Sequence, residues 1–208
     1  MNKKNVNTEE IEHSAGMAPH RLVALADAIF AFAMTLLVIS LNMPEPGKIV
    51  DIAEFLLNQY ATFWNFVLSF LLLILFWINF NQQFNHIKKI DSAAIFVNVF
   101  ILLFVVLVPF STSLMSDYPR NISAEAFFNG NMFILFSLFA FNWHYCYRGG
   151  FIETKFNREH IKKLNRRVIY PPIIALVALS LSFIIPGYST LAYLAIPFLL
   201  IISSLRKK

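Results

Sequence analysis

Cysteine occurs once, at Cys146, which excludes an internal disulfide framework and leaves no thiolate cluster for a metal. The histidines His13, His20, His86, His144 and His160 do not pair at metal-ligand spacing. A Walker loop and a nucleophile elbow are both missing, as are paired carboxylates inside the apolar segments, so no enzyme chemistry and no cofactor is expected. A TVGYG-type loop of backbone carbonyls, the usual potassium filter, is also absent. Charge is scarce. Asp, Glu, Lys and Arg make up 14% of the chain and hydrophobic residues 58%; soluble domains carry about 25% charged residues. Segments of roughly ten alternating residues, which a membrane barrel needs, do not occur. The formal net charge of +5 sits in short loops and is not a nucleic-acid footprint. Residues 1–19 hold Glu9, Glu10 and Glu12 without an apolar core, so they read as a polar cytosolic tail and not a cleavable signal.

What remains is long apolar runs. They predict an all-α polytopic membrane protein with six transmembrane helices, at about 20–42, 51–89, 92–116, 126–147, 168–185 and 188–205, within one domain of residues 20–205. Pro19 suits the first turn of the first helix, and Pro44 and Pro46 follow its end. Pro109 is expected to kink or end the third helix, and Pro171 and Pro172 to open the fifth. Residues 148–167 read as a charged loop. Pro186 and Gly187 turn the chain into the last helix. Of the 17 Lys and Arg residues, all but Lys48 and Arg120 fall on one side of this plan, together with both termini. That bias predicts N- and C-termini in the cytoplasm of a cell-membrane protein. Trp77 and Trp143 read as interface anchors, and Asn98 as a hydrogen-bond partner between helices.

The first helix carries an ionisable residue, Asp27, six positions after Arg21, about 9 Å along a helix. A charge at that depth costs roughly 2.5–3.5 kcal/mol on insertion scales, so it must face protein or water. Pairing with Arg21 would remove the cost of an isolated charge. Leu25, Ala28, Phe32, Thr35, Ile39 and Asn42 recur at steps of three and four, with Leu36 beside them. Ala24, Ala26, Ala28, Ala31 and Ala33 keep this half of the helix thin. Two readings fit the stripe. It is a packing seam inside one subunit, or it is the wall of a pore formed by a symmetric oligomer, with stacked apolar rings that gate by dewetting.

The segment RLVALADAIFAFAMTLLV resembles the first-helix signature R-x-x-x-F-S-D of the transmembrane protein 175 family of potassium channels, with Arg21 and Asp27 matching and Leu25 and Ala26 departing from its Phe and Ser. The stretch from Phe76 to Leu114 is similar to the family's second-to-third helix region at Trp77, Phe84, Ile87, Asp91, Asn98, Pro109 and Phe110. Bacterial relatives usually carry His-His-Arg where this chain has Phe80, Asn81 and Gln82, and an Ile or Leu where it has Phe32. The resemblance implies a bacterial-type homotetramer of six-helix subunits in the inner membrane, with the first helices around a central pore. It implies a hydrophobic constriction at Phe32, Leu36 and Ile39, and a potassium preference tied to Thr35. It also implies a polar network of Arg21, Asp27 and Asn81 that holds the helices in place. Permeant potassium ions, lipid and three further copies of the chain are then the partners, with no cofactor, resident metal or nucleic acid. A secondary transporter is an alternative, although the two halves do not resemble each other. A non-conducting membrane scaffold is another.

Overall fold

A computed structural model describes residues 19–41, 51–87, 89–152 and 158–196. The expected N-terminal tail up to residue 18, Asn42 and half of the expected last helix, 197–205, lie outside these residues. The described chain is helical and forms no strand; an isolated antiparallel bridge joins Ile87 to Ile152.

Helix α1 spans Pro19–Leu36 and tightens into a 3-10 turn over Leu37–Ser40. Ser40 Oγ donates to the Leu37 carbonyl at 2.7 Å, which supports that last tight turn. The single helix expected over 51–89 is instead two helices. Helix α2, Ile52–Asn58, is capped by Asp51, whose carboxylate accepts from Ala53 N at 2.9 Å. Gln59, at φ −86° and ψ 7°, breaks the run, and α3 covers Tyr60–Phe84. Neither Gly nor Pro marks the break, which is why it is invisible to a reading of turn residues.

Helix α4 spans Ser92–Asp117 and runs through Pro109 without ending there. Prolines are tolerated inside packed membrane helices because neighbouring groups satisfy the freed backbone. Helix α5, Ile122–Arg148, starts before the expected Ala126 because Asn121 caps it, accepting from Ser123 N at 3.0 Å and Ala124 N at 3.2 Å. Helix α6, Arg158–Ile184, begins within the segment expected as a charged loop, so Pro171 and Pro172 lie inside it rather than in its first turn. The chain then turns at Gly187, whose φ of +95° favours glycine, into a 3-10 turn over Ser189–Leu194.

Among the described residues, four stretches are long and apolar enough to cross a bilayer: Pro19–Ser40, Tyr60–Phe84, Ser92–Asp117 and Ile122–Arg148. Val168–Ile184 is a shorter apolar part of α6. Helix α1 packs on α3 and α4, and α5 packs between α4 and α6. The core is aromatic at its centre. Phe30 of α1 meets the edge of Phe80 with ring centroids 6.1 Å apart, and Phe76 packs on Phe136 at 4.5 Å and Phe139 at 5.4 Å. Such pairs contribute about 0.5–1.5 kcal/mol each beyond the area they bury. The Phe30–Phe80 pair fixes α1 to α3, and the Phe76 pairs fix α3 to α5.

Candidate functional site

Helix α1 has two distinct faces. Leu22, Ala26, Phe30, Ala33 and Leu37 recur at helical spacing and are fully buried. The other face carries Leu25, Ala28, Phe32, Thr35 and Ile39, all exposed; Phe32 is 63% and Ile39 68% accessible. Leu36 is half-buried beside them. The stripe is therefore not a seam packed inside one subunit, which corrects that reading. The small residues Ala26 and Ala33 on the buried face let α1 approach its neighbours closely. Thr35 Oγ1 donates to the Phe32 carbonyl at 2.8 Å. With its proton held by the backbone, the hydroxyl presents lone pairs outward, an arrangement suited to a cation.

Asp27 is held by α3. The Trp77 indole N–H donates to Asp27 Oδ1 at 2.8 Å, and Asn81 Nδ2 approaches the same oxygen at 3.5 Å while donating to the Trp77 carbonyl at 3.1 Å. Trp77 and Asn81 are four apart, so one face of α3 brings both to Asp27. Arg21 is exposed, and no ion pair joins it to Asp27 among the described residues. Six residues advance a helix by about 600°, which puts the two side chains on different faces. The structure thus brings together Asp27 and Asn81 of the expected network, leaves Arg21 apart, and adds Trp77. The signal for Trp77 was its i, i+4 relation to Asn81, although position alone suggested an interface anchor. The other expected anchor, Trp143, is buried and donates to Asn165 Oδ1 at 2.6 Å.

Inside the subunit, polar side chains join the helices pairwise. Asn98 of α4 donates to Asn142 Oδ1 of α5 at 2.9 Å, Asn142 donates to Gln83 Oε1 of α3 at 2.9 Å, and Gln83 donates to the Phe139 carbonyl at 3.1 Å. Thr112 donates to Ser69 Oγ at 2.8 Å. On α5, Asn129 donates to Ser182 Oγ at 2.7 Å and accepts from the Tyr193 hydroxyl at 2.8 Å. Asn98 therefore holds the interhelical place its sequence position suggested. At one end of α4, Asp91 Oδ1 caps the helix through Ala94 N at 2.8 Å, and its Oδ2 accepts from the Tyr145 hydroxyl at 2.5 Å. That hydroxyl, and then the backbone N–H of Ala94, hold the Asp91 carboxyl below the usual carboxylate range, against the opposing effect of burial. The described residues include no cluster of His, Cys, Asp and Glu able to hold a metal.

The family model described as the endosomal/lysosomal potassium channel TMEM175 matches residues 21–109. A Chamaesiphon minutus protein named as a potassium channel is 29% identical over 171 residues, 79% of this chain and 84% of that protein. A Streptomyces collinus protein, also named as a potassium channel, is 31% identical over 101 residues, 49% of each chain. The crystal structure of a lysosomal potassium-selective channel TMEM175 homolog from Chamaesiphon minutus matches with a TM-score of 0.73 and 26% identity, covering 90% of this chain and 97% of that one. The matched segment holds α1 with its outward stripe, the Trp77–Asp27 contact and the start of α4, and over residues 21–109 the chain is similar to the TMEM175 family.

Proposed function

We propose that this chain is one subunit of a potassium-permeable channel, with four copies surrounding a central pore lined by α1. The observation that carries the reading is the outward stripe of α1: a row of apolar side chains that the subunit itself does not cover. Related proteins named as potassium channels support it. In this reading each subunit crosses the inner membrane six times, with both termini in the cytoplasm, as the Lys and Arg distribution favours.

Phe32, Leu36 and Ile39 of four copies form successive apolar rings. An ion passes them only by shedding part of its water, and the rings close by dewetting. Thr35, between the levels of Phe32 and Leu36, offers its hydroxyl oxygen to the partly dehydrated ion. Asp27 sets the angle of α1 through Trp77 and Asn81 and does not touch the ion. Arg21 stands beside this network without an ion pair to it. The electrochemical gradient supplies the driving force, so no cofactor is involved.

Potassium flux into liposomes tests the reading with the native chain, Leu36→Asn and Ile39→Asn. Passive, non-saturating flux that rises at least several-fold or loses ion preference in the variants is expected. Saturable, proton-coupled uptake would point to a transporter. Equal silence from all three, with folded oligomers confirmed, would point to a scaffold.

A further inference from the structure

A cavity of about 770 Å³ opens at the end of the bundle where α3 begins, α4 ends, α5 begins and the chain turns after α6. Because these are the ends of apolar spans, the cavity lies at the level where hydrocarbon gives way to water. Its rim carries Tyr60, Trp64 and Tyr188, all exposed, the side-chain types that settle at a lipid headgroup. Two opposite charges line it. Arg120 sits exposed on the connection between α4 and α5. Glu125, in the first turn of α5, is 2% accessible.

The carboxylate of Glu125 has only neutral donors around it. One oxygen accepts from Gly187 N and the other from Ser189 Oγ at 2.6 Å. Among the described residues, neither Glu125 nor Arg120 forms an ion pair. Arg120 lies across the turn: a Cβ added at Gly187 would stand 3.1 Å from Arg120 Cγ. The glycine thus brings the guanidinium side chain close over the backbone that feeds Glu125. A buried carboxylate without a cation is costly unless it is neutralised or supplied with one. A ligand that brings an ammonium to the depth of Glu125 and an anion to the rim at Arg120 fits both walls.

We propose that this cavity holds the headgroup of an ethanolamine phospholipid. The primary ammonium donates to Glu125, the phosphate diester takes the Arg120 fork, and the glycerol lies against Trp64. A glycerol headgroup brings no cation to Glu125. A choline headgroup brings a cation without N–H donors and with three methyl groups. The assignment needs only that the chain spans a membrane and does not depend on ion flux.

Native mass spectrometry of the purified full chain, titrated with dioleoyl phosphatidylethanolamine, phosphatidylglycerol or phosphatidylcholine, tests it. The ethanolamine lipid is expected to bind at least tenfold more tightly than the other two. Arg120→Ala weakens it at least fivefold, and Glu125→Gln erases the preference over phosphatidylglycerol. If Glu125→Gln fails to fold, the native chain answers the same question with N-acylated phosphatidylethanolamine, which has no ammonium and should bind at least tenfold more weakly. Equal affinity for the three lipids overturns the proposal. So does ethanolamine-lipid binding unchanged by Arg120→Ala. A disulfide between copies of Tyr188→Cys that excludes lipid also overturns it, by assigning the cavity to a second copy of the chain.

Discussion

Asp27 is secured from α3 and not from its own helix. The Trp77 indole is its closest donor, and Asn81 is a longer second one. Trp77→Phe keeps an aromatic ring but removes the N–H that Asp27 accepts from, so it should destabilise the subunit by about 1 kcal/mol. A thermal melt in detergent reads this as a lowered Tm, whereas Arg21→Gln should leave the Tm nearly unchanged. The interior trio behaves differently because it is buried. Asn142→Leu would strand an N–H of Asn98 and the Oε1 of Gln83. Leaving such a group unsatisfied costs about 1–3 kcal/mol, so a larger Tm loss than for Trp77→Phe is expected. Asn98 Oδ1 and Asn131 Oδ1 already lack partners among the described residues, which marks this interior as the place where further polar loss is least tolerated.

At the scale of the helix, α4 depends on Asp91 at its start. Asp91→Ala removes the cap and should cost about 1 kcal/mol of stability. The Tyr145 hydroxyl holds the Asp91 carboxyl below its ordinary value of 3.8. Since the folded value is the lower one, the cap contributes fully above the unfolded value and is lost only as pH falls through the folded one. Tyr145→Phe should therefore begin to lose thermal stability at a higher pH than the native chain when melts are repeated in increasingly acid buffer.

The helices differ in how plainly their residues announced them. The stripe of Leu25, Ala28, Phe32, Thr35 and Ile39 on α1 was legible from its helical spacing, but which way it faces was not, because an apolar row suits a packed seam and an uncovered wall equally. Asn98 was legible because an amide inside an apolar helix must find a partner. The break at Gln59 was not, since neither Gly nor Pro marks it and the backbone departs from helix at one residue. The start of α6 was hidden because basic residues from Arg158 onward read as solvated loop, and a helix end outside hydrocarbon can carry such charge freely. The Arg21–Asp27 pairing looked sound because it removes the cost of an isolated charge, but six residues place the two side chains on different faces of the helix. Trp77 depended on two helices meeting, which spacing within one helix does not reveal.

On the scale of the whole molecule, apolar side chains face outward from every long helix, among them Phe96, Phe110 and Phe183 as well as Phe32 and Ile39. Such a surface needs lipid or further copies of itself. If four copies share one axis, native mass spectrometry in a mild detergent should count four subunits; a stable count of two or three would remove the proposed ring at Phe32. Adding Ile39→Asp should shift that count downward, because four carboxylates brought together repel one another.

The tight turn that closes α1 has a consequence for how its side chains line up. In an α-helix three steps turn about 300° and climb about 4.5 Å, so each bulky residue is rotated from the one three positions before it. In a 3-10 turn three steps close a full circle and climb about 6 Å. Leu37 and Ser40, three apart in this turn, are both buried on the same side, as that geometry requires. Leu36 and Ile39 share the same register at its outward side. Around an axis of symmetry, the last part of the passage would then be fluted like a straight column, and below it the wall would twist like a rifled barrel. An ion and its waters would meet the final two apolar levels in one alignment, with no rotation of the hydration shell between them.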